Sequence, residues 1–173
     1  MTTAPSTMGD ARGRFKAGRS AADKYLTFAL GNESFGVPIL KVQEIIGLME
    51  VTPVPRMPDW VRGVINLRGK VIPVVELRRT FNMESVPDTR RTCIVVVQVT
   101  VSDGSVVIGC VVDQVSEVQN IPASAIEPPP SFGTAVDTAF IVGMGMTGKK
   151  VVILLDIDKV LTRQDLATVT ARI

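Results

Sequence analysis

The chain contains no histidine among its 173 residues. Catalysis through a histidine triad, a histidine general base or a histidine-ligated metal is thereby excluded. Aromatic residues are scarce at 5%, and Val and Ile supply much of the apolar content, a bias that favours strands over helices. No uninterrupted apolar run approaches the ~18 residues that a membrane-spanning helix needs. Charge of one sign is also missing: Lys+Arg 19 against Asp+Glu 17 gives +2, without the basic footprint of a nucleic-acid binder or an anionic-membrane binder. Cysteine is limited to Cys93 and Cys110, each inside a Val/Ile run. They read as small buried hydrophobes in a reducing cytoplasm rather than as a disulfide or metal pair. The first 22 residues have no apolar centre, so they are no secretory signal; small, polar and mildly basic, they read as a disordered tail.

What is present is a succession of short strand patterns. "KYLTFAL" from Lys24 alternates as a half-buried strand does, and "ESFGVPI" returns after a turn at Gly31-Asn32. "LKVQEIIGLMEV" fits either a helical turn or a strand, and the prolines of "VTPVPRMP" break regular structure. Trp60 should pack between this proline segment and the strands of the first half. "GVINL" and "KVIPVVEL" form a hairpin around Arg68-Gly69, in which Pro73 points to an edge strand or a bulge. "TCIVVVQVTV" and "VVIGCVVDQV" pair across Ser102-Asp103-Gly104-Ser105, and "IVGMGM" with "KKVVILL" makes a last hairpin before a helical turn at "DIDKVL". Residues 163–173 read as a tail or short helix.

The second half repeats the first. Shifted by 73 positions, "FGVPILKVQEI" lies on "IGCVVDQVSEV", matching Gly36 to Gly109, Val42 to Val115, Glu44 to Glu117 and Ile45 to Val118. Shifted by 80, Lys70 lies on Lys150, Glu76 on Asp156 and Gly63 on Gly143. The expected fold is therefore all-β. Residues 23–162 should form one domain of two related units, approximately 23–88 and 89–162, each of about five short strands, with strand exchange between them allowed. Short strands manage their edges by closing into barrels, and two such units would share an interface and leave a groove.

The stretch "VGMGMTGKK" carries the spacing Gly143-x-Gly145-x-x-Gly148 and most of a phosphate loop, which raises the alternative of a nucleotide-binding enzyme using Gly143 to Lys149. A phosphate loop must lead into a helix, whereas "KKVVILLD" reads as a strand. Lys150 stands where a magnesium-binding Ser or Thr would be required, and the equivalent loop in the first half has no such glycine array. A tight hairpin with permissive turn residues accounts for these glycines better.

"VTPVPRMPDWVRGVINLRGKVIPVVELR", Val51 to Arg78, closely resembles the signature region of the CheW family of chemotaxis coupling proteins. Asn66, Leu67, Arg68 and Gly69 form its "NLRG" turn, and Pro73, Glu76 and Leu77 fit the following strand, with Glu for the commoner Asp. "YLTFALGNESFGVPILKVQEI" and "GCVVDQVSEV" resemble two further family segments. The resemblance implies two similar five-stranded SH3-like β-barrels with a few short helices, and a non-enzymatic adaptor without cofactor, metal or catalytic residue. It implies as partners the cytoplasmic tip of methyl-accepting chemoreceptors and the histidine kinase CheA, through the kinase's own CheW-like regulatory domain. No nucleic acid and no membrane insertion are implied; the protein should be a cytoplasmic monomer, recruited with its partners to membrane-associated arrays. An adaptor of another chemosensory or surface-motility pathway would carry the same domain.

By motif position, Val42, Glu44, Gly109, Val115 and Val118 are candidate receptor-binding residues, and Ile39 and Ile45 join them as apolar anchors suited to a helical receptor tip. Arg68 is the candidate for kinase contact or for shaping the interface, by pairing with Glu44. Gly63 and Gly69 are candidate structural turn residues.

Overall fold

A computed structural model describes residues 23–101, 104–129 and 138–162. The tail expected over 1–22, the end at 163–173 and part of the turn at Ser102-Asp103 lie outside the described residues. Among the described residues, eleven strands and two short helices follow one another. In the first half they are β1 (Lys24–Leu30), β2 (Glu33–Pro38), β3 (Val42–Gly47), β4 (Val61–Leu67), β5 (Lys70–Glu76) and helix α1 (Leu77–Thr80). The second half supplies β6 (Cys93–Val101), β7 (Gly104–Val112), β8 (Gln114–Asn120), β9 (Ile126–Glu127), β10 (Ile141–Thr147), β11 (Lys150–Leu155) and helix α2 (Ile157–Thr162). "VQEIIG", open to either reading in the sequence, is strand β3.

The strands form two sheets of mixed topology, ordered β9-β10-β11-β2-β1-β8 and β3-β6-β7-β5-β4. The first has six strands rather than the expected five, because the two-residue β9 adds to its edge. Neither half of the sequence makes a sheet alone. The β1–β2 hairpin sits among strands of the second half, and the β6–β7 hairpin sits among strands of the first. The exchange is reciprocal, and its register follows the duplication. Val74 pairs with Gly109 in one parallel ladder and Leu154 with Gly36 in the other, positions related by the shifts of 80 and 73. Bulges recur at equivalent places: the ladders skip a residue between Val42 and Glu44 and between Val115 and Glu117, between Val61 and Gly63 and between Ile141 and Gly143.

Alternation along the strands explains why the central ones read as unbroken apolar runs. On β6, Val95, Val97 and Val99 join a large core cluster shared by both sheets, while Ile94 and Val96 face the interior of their own sheet with Ile65, Ile72 and Val74. On β11, Ile153 and Leu155 enter the shared cluster and Val152 and Leu154 pack with Ile121. Phe28, Phe35 and Phe81 stack through the shared core, with ring centroids 5.9 and 5.8 Å apart. Trp60 is half-buried against the same cluster. Each side chain buried in these layers stabilises the fold by about 1.5–3 kcal/mol before conformational entropy is subtracted.

Pro73 lies neither on an edge strand nor at a bulge, as its sequence context had implied: β5 has neighbours on both sides. Val64, opposite Pro73, directs both its backbone groups to Thr52 (2.8 and 2.9 Å), so Val64 and Pro73 exchange no ladder bonds. The ladder from β5 to β7 begins only at Val74. Proline's missing N–H therefore leaves no bond unmade.

Candidate functional site

The hairpin turn between β4 and β5 is built from its own sequence. Arg68 (φ 51°) and Gly69 (φ 86°) both adopt positive φ, the requirement of a type I′ hairpin. The Asn66 side-chain oxygen accepts the Gly69 N–H at 2.8 Å and locks the turn. An arginine in the left-handed region costs free energy that glycine would avoid. From this position the Arg68 guanidinium pairs with Glu44 on β3, so the turn is tied to an edge strand of the same sheet. Gly63 sits at the β4 bulge with φ 150°, and a Cβ there would lie 2.2 Å from the Thr52 carbonyl oxygen. Among the turn residues, Gly69 meets open space and is needed for its conformation alone.

β3 carries Val42, Glu44 and Ile45; Ile39 precedes it in a 3-10 turn. Val42 and Ile45 lie across from Val97 and Val95, which face the shared core, so they stand on the inner face of their sheet at its outermost strand. Val115 and Val118 on β8 lie across from Phe28 and Leu26 and occupy the same place in the other sheet. Val42 and Val115 are half-buried against the shared core, whereas Ile45 (44%) and Val118 (41%) remain exposed. Five of the seven candidate receptor-binding residues thus line the outer edges of the faces that the two sheets turn toward each other, or the chain just before them; Glu44, across from Val96, stands on the opposite face of β3. Gly109 differs. It is buried in the middle of its sheet, where an added Cβ would come within 2.7 Å of Ile94, so it presents no side chain to a partner and serves strand packing.

Sequence reasoning missed a depression of about 380 Å³ beside the Arg68 turn, lined by Gln43, Arg68, Lys70, Val71, Pro73 and Val106. It opens where Pro73 delays the β5–β7 ladder. A second depression of about 390 Å³ occupies the equivalent end of the other sheet, with Lys150, Val151, Ile153, Glu33 and Ser34 at the duplicated positions. Leu40, 64% exposed beside Ile39, was also passed over. Two ion-pair clusters stand at the crossovers between sheets. Arg78 grips Asp113 through two bonds of 2.9 and 2.6 Å, and Lys41 meets Asp158 at 2.7 Å. The Arg78 fork holds the Asp113 carboxyl below the usual carboxylate range, helped by the Gly31 N–H. Arg62 does the same for Asp88. The repeat itself was the available signal, since the shift of 80 lays Arg78 on Asp158.

The glycine array gives no phosphate cradle. Gly143 and Gly145 lie buried within β10, where an added Cβ would meet Ile126, the Glu127 carbonyl and Ile121. Gly148 (φ 65°) occupies the hairpin turn, and the next element is strand β11 rather than a helix. Both cysteines are free; burial pushes the Cys110 thiol up to about 12 and raises that of Cys93. No cluster of metal-ligating side chains and no helix long and apolar enough to cross a membrane occurs among the described residues.

Comparison with known proteins adds three findings. Residues 24–165 match the family of the CheW-like domain. A chemotaxis protein CheW of Klebsiella aerogenes is 39% identical over 153 residues, covering 88% of this chain and 90% of the relative; one of Rhizobium meliloti is 33% identical over 140 residues, covering 81% and 88%. The crystal structure of the scaffolding protein TtCheW from Thermoanaerobacter tengcongensis superposes with a TM-score of 0.72 at 32% identity, covering 84% of this chain and 91% of that one.

Proposed function

The chain belongs to the CheW family, whose members are non-enzymatic adaptors coupling chemoreceptors to CheA, and from that premise we propose how its two surfaces divide the work. The seam edges on β3 and β8 receive the cytoplasmic tip of a methyl-accepting receptor. The Arg68 turn and the depression beside it meet the CheW-like regulatory domain of CheA. The Arg68–Glu44 pair carries this reading: a strained arginine links the signature turn to the strand that bears Val42 and Ile45. An exposed pair of this kind adds little to stability, which leaves shaping of the surface as its role. A helical receptor tip offers an apolar stripe, and Ile45 and Val118 are exposed apolar anchors of matching chemistry.

Two further features belong to the same reading. Each sheet curls toward an SH3-like barrel around its own interior cluster, a curvature supported by the paired bulges. The purified protein is a cytoplasmic monomer that gains avidity from repeated weak contacts in a membrane-associated array.

Co-sedimentation with receptor-bearing membranes and CheA tests the assignment. Ile45→Asp with Val118→Asp should abolish receptor binding while leaving the isolated CheA regulatory domain bound. Arg68→Ala should weaken both partners; if it changes neither, the role given to that arginine is lost.

A further inference from the structure

The chain passes between the two sheets at two equivalent crossovers, and each delivers an edge strand of the seam. From β7 to β8 the crossover is the single residue Asp113; from β2 to β3 it is the 3-10 turn Ile39–Lys41. Val115 follows Asp113 by two residues, and Val42 directly follows Lys41. Both crossovers are held by charge. Asp113 accepts two bonds from Arg78, on α1 in the other half of the sequence, and one from the Gly31 N–H of the β1–β2 turn at 2.7 Å. Lys41 pairs with Asp158, on α2 in the other half, and Asp158 accepts the Thr100 N–H at the end of β6 at 2.8 Å. The Lys41 ammonium also donates to the Thr100 hydroxyl at 3.3 Å.

Helix residues Arg78 and Asp158 are equivalent under the shift of 80, yet they carry opposite charge. The crossover residues Asp113 and Lys41, one position out of alignment under the shift of 73, also carry opposite charge. In the exchanged packing every pair is attractive. If each half packed on itself, Lys41 would face Arg78 and Asp113 would face Asp158, two repulsive pairs. Hydrophobic patterning alone does not discriminate between these arrangements, because the two hairpins are related by sequence. Charges of alternating sign do.

We propose that Arg78–Asp113 and Lys41–Asp158 are positioning pairs, which select the exchanged packing by sign and fix the edge strands β8 and β3 so that their seam residues meet a partner. The partner-binding part rests on the adaptor reading above; the selection by sign does not. A backbone N–H reinforces each clamp, and the Arg78 clamp is the stiffer of the two because its ion pair is bidentate.

Four variants, one of them in reserve, and three measurements test this, the third being refolding. Amide hydrogen exchange reports β8 and β3 without any partner, and binding is measured to a receptor cytoplasmic fragment and, separately, to the CheA regulatory domain. Arg78→Gln should speed exchange in β8 about tenfold while β10 and β11 keep their protection. It should weaken the receptor fragment about fivefold and leave the kinase domain within about twofold, and Arg78→Lys, which keeps the charge, should recover most of both losses. Exchanging the helix charges, Arg78→Asp with Asp158→Arg, makes every clamp repulsive and should abolish refolding to the native packing.

Unchanged β8 exchange in Arg78→Gln overturns the proposal, as does a loss shared equally by both partners or a failure of Arg78→Lys to rescue. Normal refolding of the helix-charge exchange overturns the selection by sign. If Arg78→Gln does not fold, Lys41→Gln at the other clamp is read through β3 under the same criteria. A wild-type chain that binds neither partner overturns the adaptor reading, while the exchange measurements still decide the clamps.

Discussion

The turn at Asn66–Gly69 and its duplicate at Met146–Lys149 close equivalent hairpins by different means. In the first, two successive residues take positive φ, one of them an arginine, and an asparagine side chain is recruited to hold them. In the second, Gly148 takes the left-handed position and Lys149 does not share it. The exposed faces differ likewise. Arg62 and Asn66 stand where the second half has Val142 and Met146, whereas Val71 and Val151 are alike. Duplication supplied two interchangeable frames, and the first frame accepts a strained residue that the second shows to be unnecessary for making the turn. Strain that the fold does not require is a mark of function.

The frame itself can be broken most severely at the bulge glycines. Gly63→Ala would need a Cβ 2.2 Å from the Thr52 oxygen at φ 150°, whereas Gly143→Ala would press on a movable Ile126 methyl at 2.5 Å and on the Glu127 oxygen at 2.9 Å. Loss of about 4 kcal/mol or more is expected at Gly63 and about half that at Gly143, read as urea midpoints. Equal losses would mean that backbone strain adds nothing to the clash. Next come the paired strand glycines. Gly109→Ala meets Ile94 at 2.7 Å; Gly36→Ala meets Leu154 and Val152 at 3.0 and 3.1 Å. Overpacking of about 2–3 kcal/mol is expected for the former and about 1 kcal/mol for the latter.

These glycines also mark how far the sequence can be read. Gly36, Gly63, Gly109 and Gly143 are legible as a repeat because a packed position without room for Cβ constrains each copy alike. Gly109 was nonetheless assigned to the partner surface, since motif position tells which strand a residue occupies and not which way the strand is buried. The reciprocal exchange of hairpins is illegible for a related reason. Alternation identifies strands and shifts identify equivalents, but neither states which of two similar hairpins pairs with which. Pro73 looked like an edge residue because the bonding of Val64 to Thr52, which frees it from the ladder, joins segments twelve residues apart. Arg68 and Glu44 were paired correctly from a turn and a motif. The depression beside them depends on where a ladder starts, which no local pattern encodes.

The two crossover clamps offer a milder comparison, with a sign that pH can test. The folded-state Asp113 carboxyl is depressed, first by the bond from Arg78. Its contribution to stability is therefore complete above the unfolded value near pH 4, and is lost as pH falls through the lower folded value. Asp113→Asn should cost about 2 kcal/mol at pH 7, with solvent screening of this partly exposed pair keeping it from more, and the gap from wild type should begin to narrow below about pH 4. Asp158→Asn, at the monodentate clamp, should cost about 1 kcal/mol at pH 7. Urea unfolding at pH 7 and pH 3 measures both; a gap at Asp113 that does not narrow between pH 7 and pH 3 would assign the loss to packing rather than charge.

The smallest effect on stability should accompany the clearest effect on function. Arg68→Gly installs in the first turn the residue that the second turn uses at the same place. Relief of the left-handed strain favours the variant by about 1 kcal/mol, loss of the exposed Glu44 pair opposes it by about 0.5 kcal/mol, and greater freedom of the unfolded chain opposes it by about as much again. The sum is near zero, so the urea midpoint should scarcely move. Binding to the receptor fragment and to the CheA domain should nevertheless fall, because Glu44 is released and the guanidinium is gone. A variant that is as stable as wild type and binds as well would make the two turns equivalent after all. The strained arginine would then need another explanation than function.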